Sequence, residues 1–151
     1  MRGDFLKALN RNQQTFYYCL FQEKIPVVDE YGNETSEYIV RYGTPTEMTA
    51  NISPATGYSQ TEQFGNLDNY DKVIVTTDMD CPIDENSVLF IEKEVEYTDA
   101  ETVNYTPSDT VLGDDEVETV TVQVPVYDYV VRRVAKSLNS ISIAVRKVDV
   151  S

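Results

Sequence analysis

The chain has no histidine and no tryptophan, and only two cysteines, six glycines and six prolines in 151 residues. Without histidine, Ser-His-Asp and Cys-His catalysis are excluded, together with most zinc sites. Cys19 and Cys81 stand far apart in the chain, so they form no thiolate cluster, and each is expected to be a free, buried thiol. With no tryptophan there is none to stack on a sugar ring. No apolar run approaches the ~18 residues that read as a membrane-crossing helix. Met1-Arg2-Gly3-Asp4 is not followed by a signal-type apolar stretch, which suggests a protein made and kept in cytoplasm. Any enzyme here would have to work with carboxylates, lysine, tyrosine or an oxygen-ligated metal.

What is present is acid. The net charge is −14, and it is unevenly placed. Residues 1–24 carry four basic and two acidic groups, 25–91 two and twelve, 92–125 one and ten, and 126–151 five and two. The ends are basic and the middle is strongly acidic. This lacks the dense basic face of ordinary high-affinity nucleic-acid binding. It suits a channel wall that repels DNA, and equally a small domain kept soluble by acid. Charge alone does not separate the two. The length suits one domain, 1–151, able to bury a real core.

The apolar pattern is that of strands. Residues 15–21, TFYYCLF, are aromatic on both alternating faces, so this strand should be covered on both sides. Residues 25–28 extend it, residues 29–34 have hairpin-tip chemistry, and 37–42 return. In 46–52, Met48, Ala50 and Ile52 alternate with Glu47, Thr49 and Asn51, which should face water. Strands follow at 72–77 and 87–91. Between them Asp78, Asp80, Asp84 and Glu85 do not have EF-hand spacing and read as a solvated turn rather than a metal site. Residues 118–124 alternate again, with Pro125 marking an edge or break. In 126–135 Tyr129, Val131 and Val134 can all be buried only across a bulge. Residues 136–139 turn, and 140–148 place Ile141, Ile143 and Val145 inward, with Ser140, Ser142 and Ala144 outward. About seven or eight strands and no confident helix beyond the N terminus give a mostly β fold. The expectation is a small antiparallel β barrel or sandwich with long loops and a short N-terminal arm or helix over residues 1–14.

Two segments fit no core. Residues 53–70 are polar and long for a structureless loop, and they carry Tyr58, Phe64 and Leu67. Three large apolar groups in a loop suggest partner contact, against the plain alternative of a surface loop. Residues 92–117 are an acidic insertion. Val95, Tyr97, Val103 and Tyr105 alternate with acids there, as in an exposed hairpin arm; otherwise charge and low hydrophobicity would leave the segment unfolded.

Residues 62–65 read E-x-F-G, 70–76 Y-D-K-x-I-V-T, and 81–91 C-P-I-D-E-N-x-V-L-F-I. As a set, with the C-terminal stretch YVVRRVAKSLNSISIAVRKV, they resemble the head-tail connector family of long-tailed phages, the head-closure or stopper proteins. The large acidic insertion departs from the minimal family pattern. The resemblance implies a structural, non-enzymatic virion protein of a siphophage neck, made in host cytoplasm, with no cofactor, metal or catalytic residue. It would form a homo-oligomeric ring, a hexamer, between the portal or adaptor ring proteins and the tail terminator or tail tube proteins. It would close the DNA-filled head and offer the tail a docking surface, while packaged DNA passes through the lumen without specific binding.

On this reading Tyr58, Phe64 and Leu67 touch ring neighbours. The insertion, through Glu94, Glu96, Asp99, Glu101, Asp114, Asp115 and Glu116, forms an acidic channel loop; its alternative place is the outer surface. Deleting 94–116 should then leave the barrel folded and impair genome retention. The five basic residues of the C-terminal hairpin are most simply outer-face charges, and could instead pair with an acidic neighbouring subunit. Two other readings stay open: a tail-completion protein of the same neck, and a carbohydrate-binding β domain built on tyrosines and carboxylates.

Overall fold

The computed structural model describes residues 13–54, 70–105 and 117–148. All regular structure among them is strand. Ten strands run in order: β1 (Gln13–Cys19), β2 (Phe21–Val28), β3 (Glu34–Tyr42), β4 (Thr46–Pro54), β5 (Lys72–Thr76), β6 (Val88–Phe90), β7 (Glu101–Tyr105), β8 (Glu118–Val122), β9 (Tyr129–Lys136) and β10 (Ile141–Lys147). The chain divides into two compact units. The larger comprises residues 1–20, 44–95 and 127–151; the smaller comprises 21–43 and 96–126.

The larger unit is a closed antiparallel barrel in the order β1-β4-β5-β10-β9-β6. Closure leaves no open sheet edge, so every strand has a ladder partner on both sides. A barrel this small is filled by its own side chains. Phe16, Ile74, Leu89, Tyr129, Ile141, Ile143 and Val145 fill it, none more than 1% exposed. Burying each such side chain stabilises the fold by roughly 1.5–3 kcal/mol.

A second, smaller apolar cluster lies around Val73 and Ala144, with Tyr70, Val75 and Ala135 packed against it. Register explains the separation. Ile143 sits opposite Ile74 and Val134, whereas Ala144 sits opposite Val73 and Arg133. Residues directly opposite share a face, and neighbours along a strand alternate faces. Ala144, Val73 and Arg133 therefore lie on the barrel's outer face. The two-sided apolar pattern of β5 follows from this.

The smaller unit contains two two-stranded sheets, β2-β3 and β7-β8. β2 and β3 form a hairpin whose tip is residues 29–33. β7 pairs with β8 from Glu101↔Val122 to Tyr105↔Glu118, and an isolated bridge joins Tyr97 to Pro125. Among the described residues, the buried apolar side chains of this unit are Ile25 (8% exposed), Val28 (5%), Val103 (8%) and Pro125.

Several sequence expectations meet corrections here. The strand expected to run from residue 15 through 28 breaks at Leu20: β1 belongs to the barrel and β2 to the other unit. Phe21 is accordingly exposed rather than covered. Asn51 is buried although it alternates with the core residues of β4, and Ser142 and Ala144 are buried although they face away from the interior. Residues 126–128 precede β9 rather than starting it. Gln13 and Gln14, placed in an N-terminal arm, belong to β1. The bulge expected in the ninth strand is present: the β9–β10 register passes from Arg133↔Ala144 to Val131↔Val145, leaving Arg132 as the extra residue. It lets Tyr129 and Val131 be buried while Val134 also packs on the core. The rest of the N-terminal arm or helix lies outside the described residues.

Candidate functional site

The polar groups of the barrel converge where β6 ends and β9 begins. Asp128 is 4% exposed. Its Oδ1 accepts the Ile91 N–H at 2.9 Å and its Oδ2 accepts the Glu92 N–H at 2.8 Å. Its own N–H donates to the Leu89 carbonyl, and its carbonyl accepts from Val148. A carboxylate inside an apolar run is tolerated because each of its oxygens is satisfied by backbone. Beside it, Lys147 Nζ lies 2.8 Å from Glu92 Oε2, and Lys72 Nζ lies 3.3 Å from Glu92 Oε1. The Tyr129 phenol also feels the Glu92 carboxylate.

These contacts set the titration of the cluster. The Lys147 hydrogen bond holds the Glu92 carboxyl below its ordinary range. The Glu92 carboxylate in turn pushes Lys147 up. Burial first, and then Glu92, pushes the Tyr129 phenol up. A general acid or base works best with its pKa near the operating pH. Glu92, Lys147 and Tyr129 are all driven away from neutrality, so the cluster ties strand ends together instead of poising a proton.

The acidic link between β5 and β6 is likewise structural. Asp78 Oδ1 accepts the Asp80 N–H at 3.0 Å. Asp84 Oδ1 accepts both the Asn86 N–H and the Ser87 hydroxyl, and Ser87 Oγ accepts the Asp84 N–H, each at 3.0 Å. The short acidic side chains build the turns by bonding backbone two residues on. Among the described residues no group of three or more Cys, Asp or Glu is placed to hold a metal ion.

A cavity of about 450 Å³ opens beside this link, lined by Cys81, Ile83, Val134 and Lys136 among others. The Cys81 thiol lies 3.9 Å from Met48 Sδ, and burial pushes its pKa up, so it stays a thiol and a weak nucleophile. The smaller unit has two cavities of about 240 and 200 Å³, both lined in part by Arg41. Both fall below the roughly 300–1,000 Å³ of small-molecule sites.

Surface charge is the stronger signal. Each unit holds thirteen acidic residues, but the barrel unit holds ten basic residues and the smaller unit two, Lys24 and Arg41. Both are engaged: Arg41 pairs with Glu23 at 3.0 Å, and Lys24 lies 4.2 Å from the Tyr38 ring centroid. The distal half of the hairpin, with Glu30, Glu34 and Glu37, pairs with no cation among the described residues.

The tip of that hairpin is tightly built. Asp29 Oδ1 accepts the Asn33 and Tyr31 N–H groups at 2.9 and 2.8 Å, and these bonds, that from Asn33 first, hold its carboxyl below the usual range. Gly32 adopts φ +87°, open to glycine at little cost, and Ser36 adopts φ +72°, uncommon for a residue with a Cβ. Tyr31 is left 77% exposed.

Of the residues singled out in the sequence, Glu94 lies in the barrel unit, while Glu96, Asp99 and Glu101 lie in the smaller one; all four are exposed. Tyr58, Phe64, Leu67, Asp114, Asp115 and Glu116 lie outside the described residues. The suggested deletion of 94–116 would remove β7 and leave β8 without its partner, both of them outside the barrel. Sequence reasoning missed Asp128, whose signal was an acid at the head of the apolar run VYDYVV. It also missed Tyr31, an aromatic placed in a turn rather than a strand. Compared with family models, curated proteins and solved structures, the chain matches none.

Proposed function

We propose that the chain is a structural subunit of a long-tailed phage neck. It would form a ring between the portal or adaptor complex and the tail, closing the filled head and presenting a tail docking surface. The reading rests on the motif resemblance, and one structural observation favours it. The stretches at 70–76, 81–91 and 129–148 carry β5, β6, β9 and β10, so they belong to one closed barrel and none falls in the smaller unit. A common barrel scaffold with a separately elaborated acidic unit is what a neck subunit adapted to its neighbours would need. Its mechanism is assembly rather than chemistry: closed symmetry limits growth, and the acidic surface keeps DNA from adhering as it passes.

The test is electron microscopy of a lysate in which the gene is disrupted. Emptied heads beside complete, unattached tails are expected. Filled heads beside defective tails would move the protein to tail completion, and normal particles would overturn the neck reading. For the acidic loop, replacing residues 106–116 by a two-residue turn spares the β7–β8 pair and should reduce genome retention; full retention removes the loop from the channel.

A further inference from the structure

The bulge in β9 has a consequence for the barrel surface. A bulge re-aims side chains. Here Arg132 and Arg133, consecutive in sequence, are both exposed. Arg133 lies opposite Ala144 on the outer face, and Arg146, two residues beyond Ala144, shares that face. Three arginines therefore border the outer apolar cluster of Val73, Ala144, Val75, Ala135 and Tyr70. Among the described residues Arg132 and Arg146 meet no carboxylate within ion-pair distance.

The same chain carries the complementary surface. The hairpin tip presents an exposed tyrosine flanked by Glu30, Glu34 and Glu37. Arginine pairs carboxylates through two parallel N–H bonds and also stacks on aromatic faces. Tyrosine adds large contact area at low entropic cost, the more so when its backbone is already fixed.

We infer that the β2–β3 hairpin tip of one copy, through Tyr31 and its flanking glutamates, docks on the Arg132–Arg133–Arg146 face of a second copy. The two surfaces differ, so the contact is head-to-tail and repeats from copy to copy. It deepens the ring reading by naming the surfaces involved, and rests on the self-association which that reading requires.

The test is sedimentation velocity of the full chain at high concentration and low salt. The wild type should associate, less so as salt rises. Tyr31→Ala should weaken association about tenfold. The triple variant Glu30→Arg, Glu34→Arg, Glu37→Arg should remain monomeric, and so should the double variant Arg132→Glu, Arg146→Glu. An equimolar mixture of the two should associate again, since each offers the surface the other lacks. All five positions are exposed, and circular dichroism checks that the fold is kept. A monomeric wild type, a reversed variant that associates like wild type, or a mixture that stays monomeric each overturns the contact. Incorporation into particles separates this from the neck reading. Variants that incorporate normally would sink the contact alone, whereas wild-type protein absent from virions yet restored by charge exchange in solution would sink the neck reading alone.

Discussion

The two units carry the same number of acidic residues and are built on different terms. The barrel has interior side chains no more than 1% exposed and no open edge, whereas Ile25, Val28 and Val103 of the smaller unit are 5–8% exposed. A lone two-stranded hairpin is marginal in water, and the smaller unit carries two such ribbons with, among the described residues, only four buried apolar side chains. Its order depends more on turn chemistry and side-chain bonds, among them Asp29 at the tip, the Glu23–Arg41 pair, and Phe21 edge-on to Tyr42 at 6.5 Å. Stability is concentrated in one unit and uncompensated charge in the other.

Mutations should break this contrast in a graded way. Ile143→Ala, at a fully buried interior position, should cost about 2–5 kcal/mol in denaturant unfolding. Asp128→Ala strands the Ile91 and Glu92 N–H groups and should cost about 3 kcal/mol. Ile25→Ala in the smaller unit should fall at or below about 2 kcal/mol, because its surroundings can relax. Hydrogen exchange sharpens the comparison: amides of β2, β3, β7 and β8 should exchange by local opening while those of β5, β9 and β10 wait for global unfolding. Uniform protection across both units would reject the contrast. Gly32→Ala, at φ +87°, should cost about 1 kcal/mol and accelerate exchange in the β2–β3 hairpin alone.

Most of the pH dependence belongs to the barrel, while the lowered carboxyl of Asp29 at the hairpin tip adds to the acid limb. Tyr129 is raised above its ordinary value of 10.0, so the stability it lends is complete below about pH 10 and drains as pH rises beyond. Burial likewise raises Cys19 and Cys81 above 9.0, so alkaline loss should begin near pH 9. Glu92 is lowered from 4.5; its contribution is complete above that value and is lost as pH falls through the folded one. Tyr129→Phe should cost about 1 kcal/mol at neutrality and blunt the alkaline loss, leaving the part carried by the cysteines and Lys147. Thermal melts from pH 3 to 11 check both limbs.

Much of the barrel was legible. Alternation placed Ile141, Ile143 and Val145 inward, and the parity conflict among Tyr129, Val131 and Val134 required the bulge at Arg132. Periodicity could not see the break at Leu20, because apolar and aromatic residues continue across it while the chain passes from one unit to the other. Nor could it see that Ser142 and Asn51 are buried, since burial on an outer face depends on what else covers the sheet. The acidic residues were read as one loop, but Glu94 falls in one unit and Glu96 in the other. Charge density marks a segment; it does not mark where the fold divides it.

The smaller unit interrupts the barrel sequence twice, and each interruption falls between strands that pair: β1 with β4, and β6 with β9. Each inserted segment also closes its own mouth. Phe21 pairs with Tyr42 in one, and the Val126 N–H donates to the Glu96 carbonyl at 2.8 Å in the other. Bringing distant strands together costs loop-closure entropy and slows folding. A hairpin that forms locally, within ~1–10 μs, shortens that loop before the barrel strands must meet. The insertions can thus act as clasps on the folding path, and trimming them to short turns should leave a barrel that still closes.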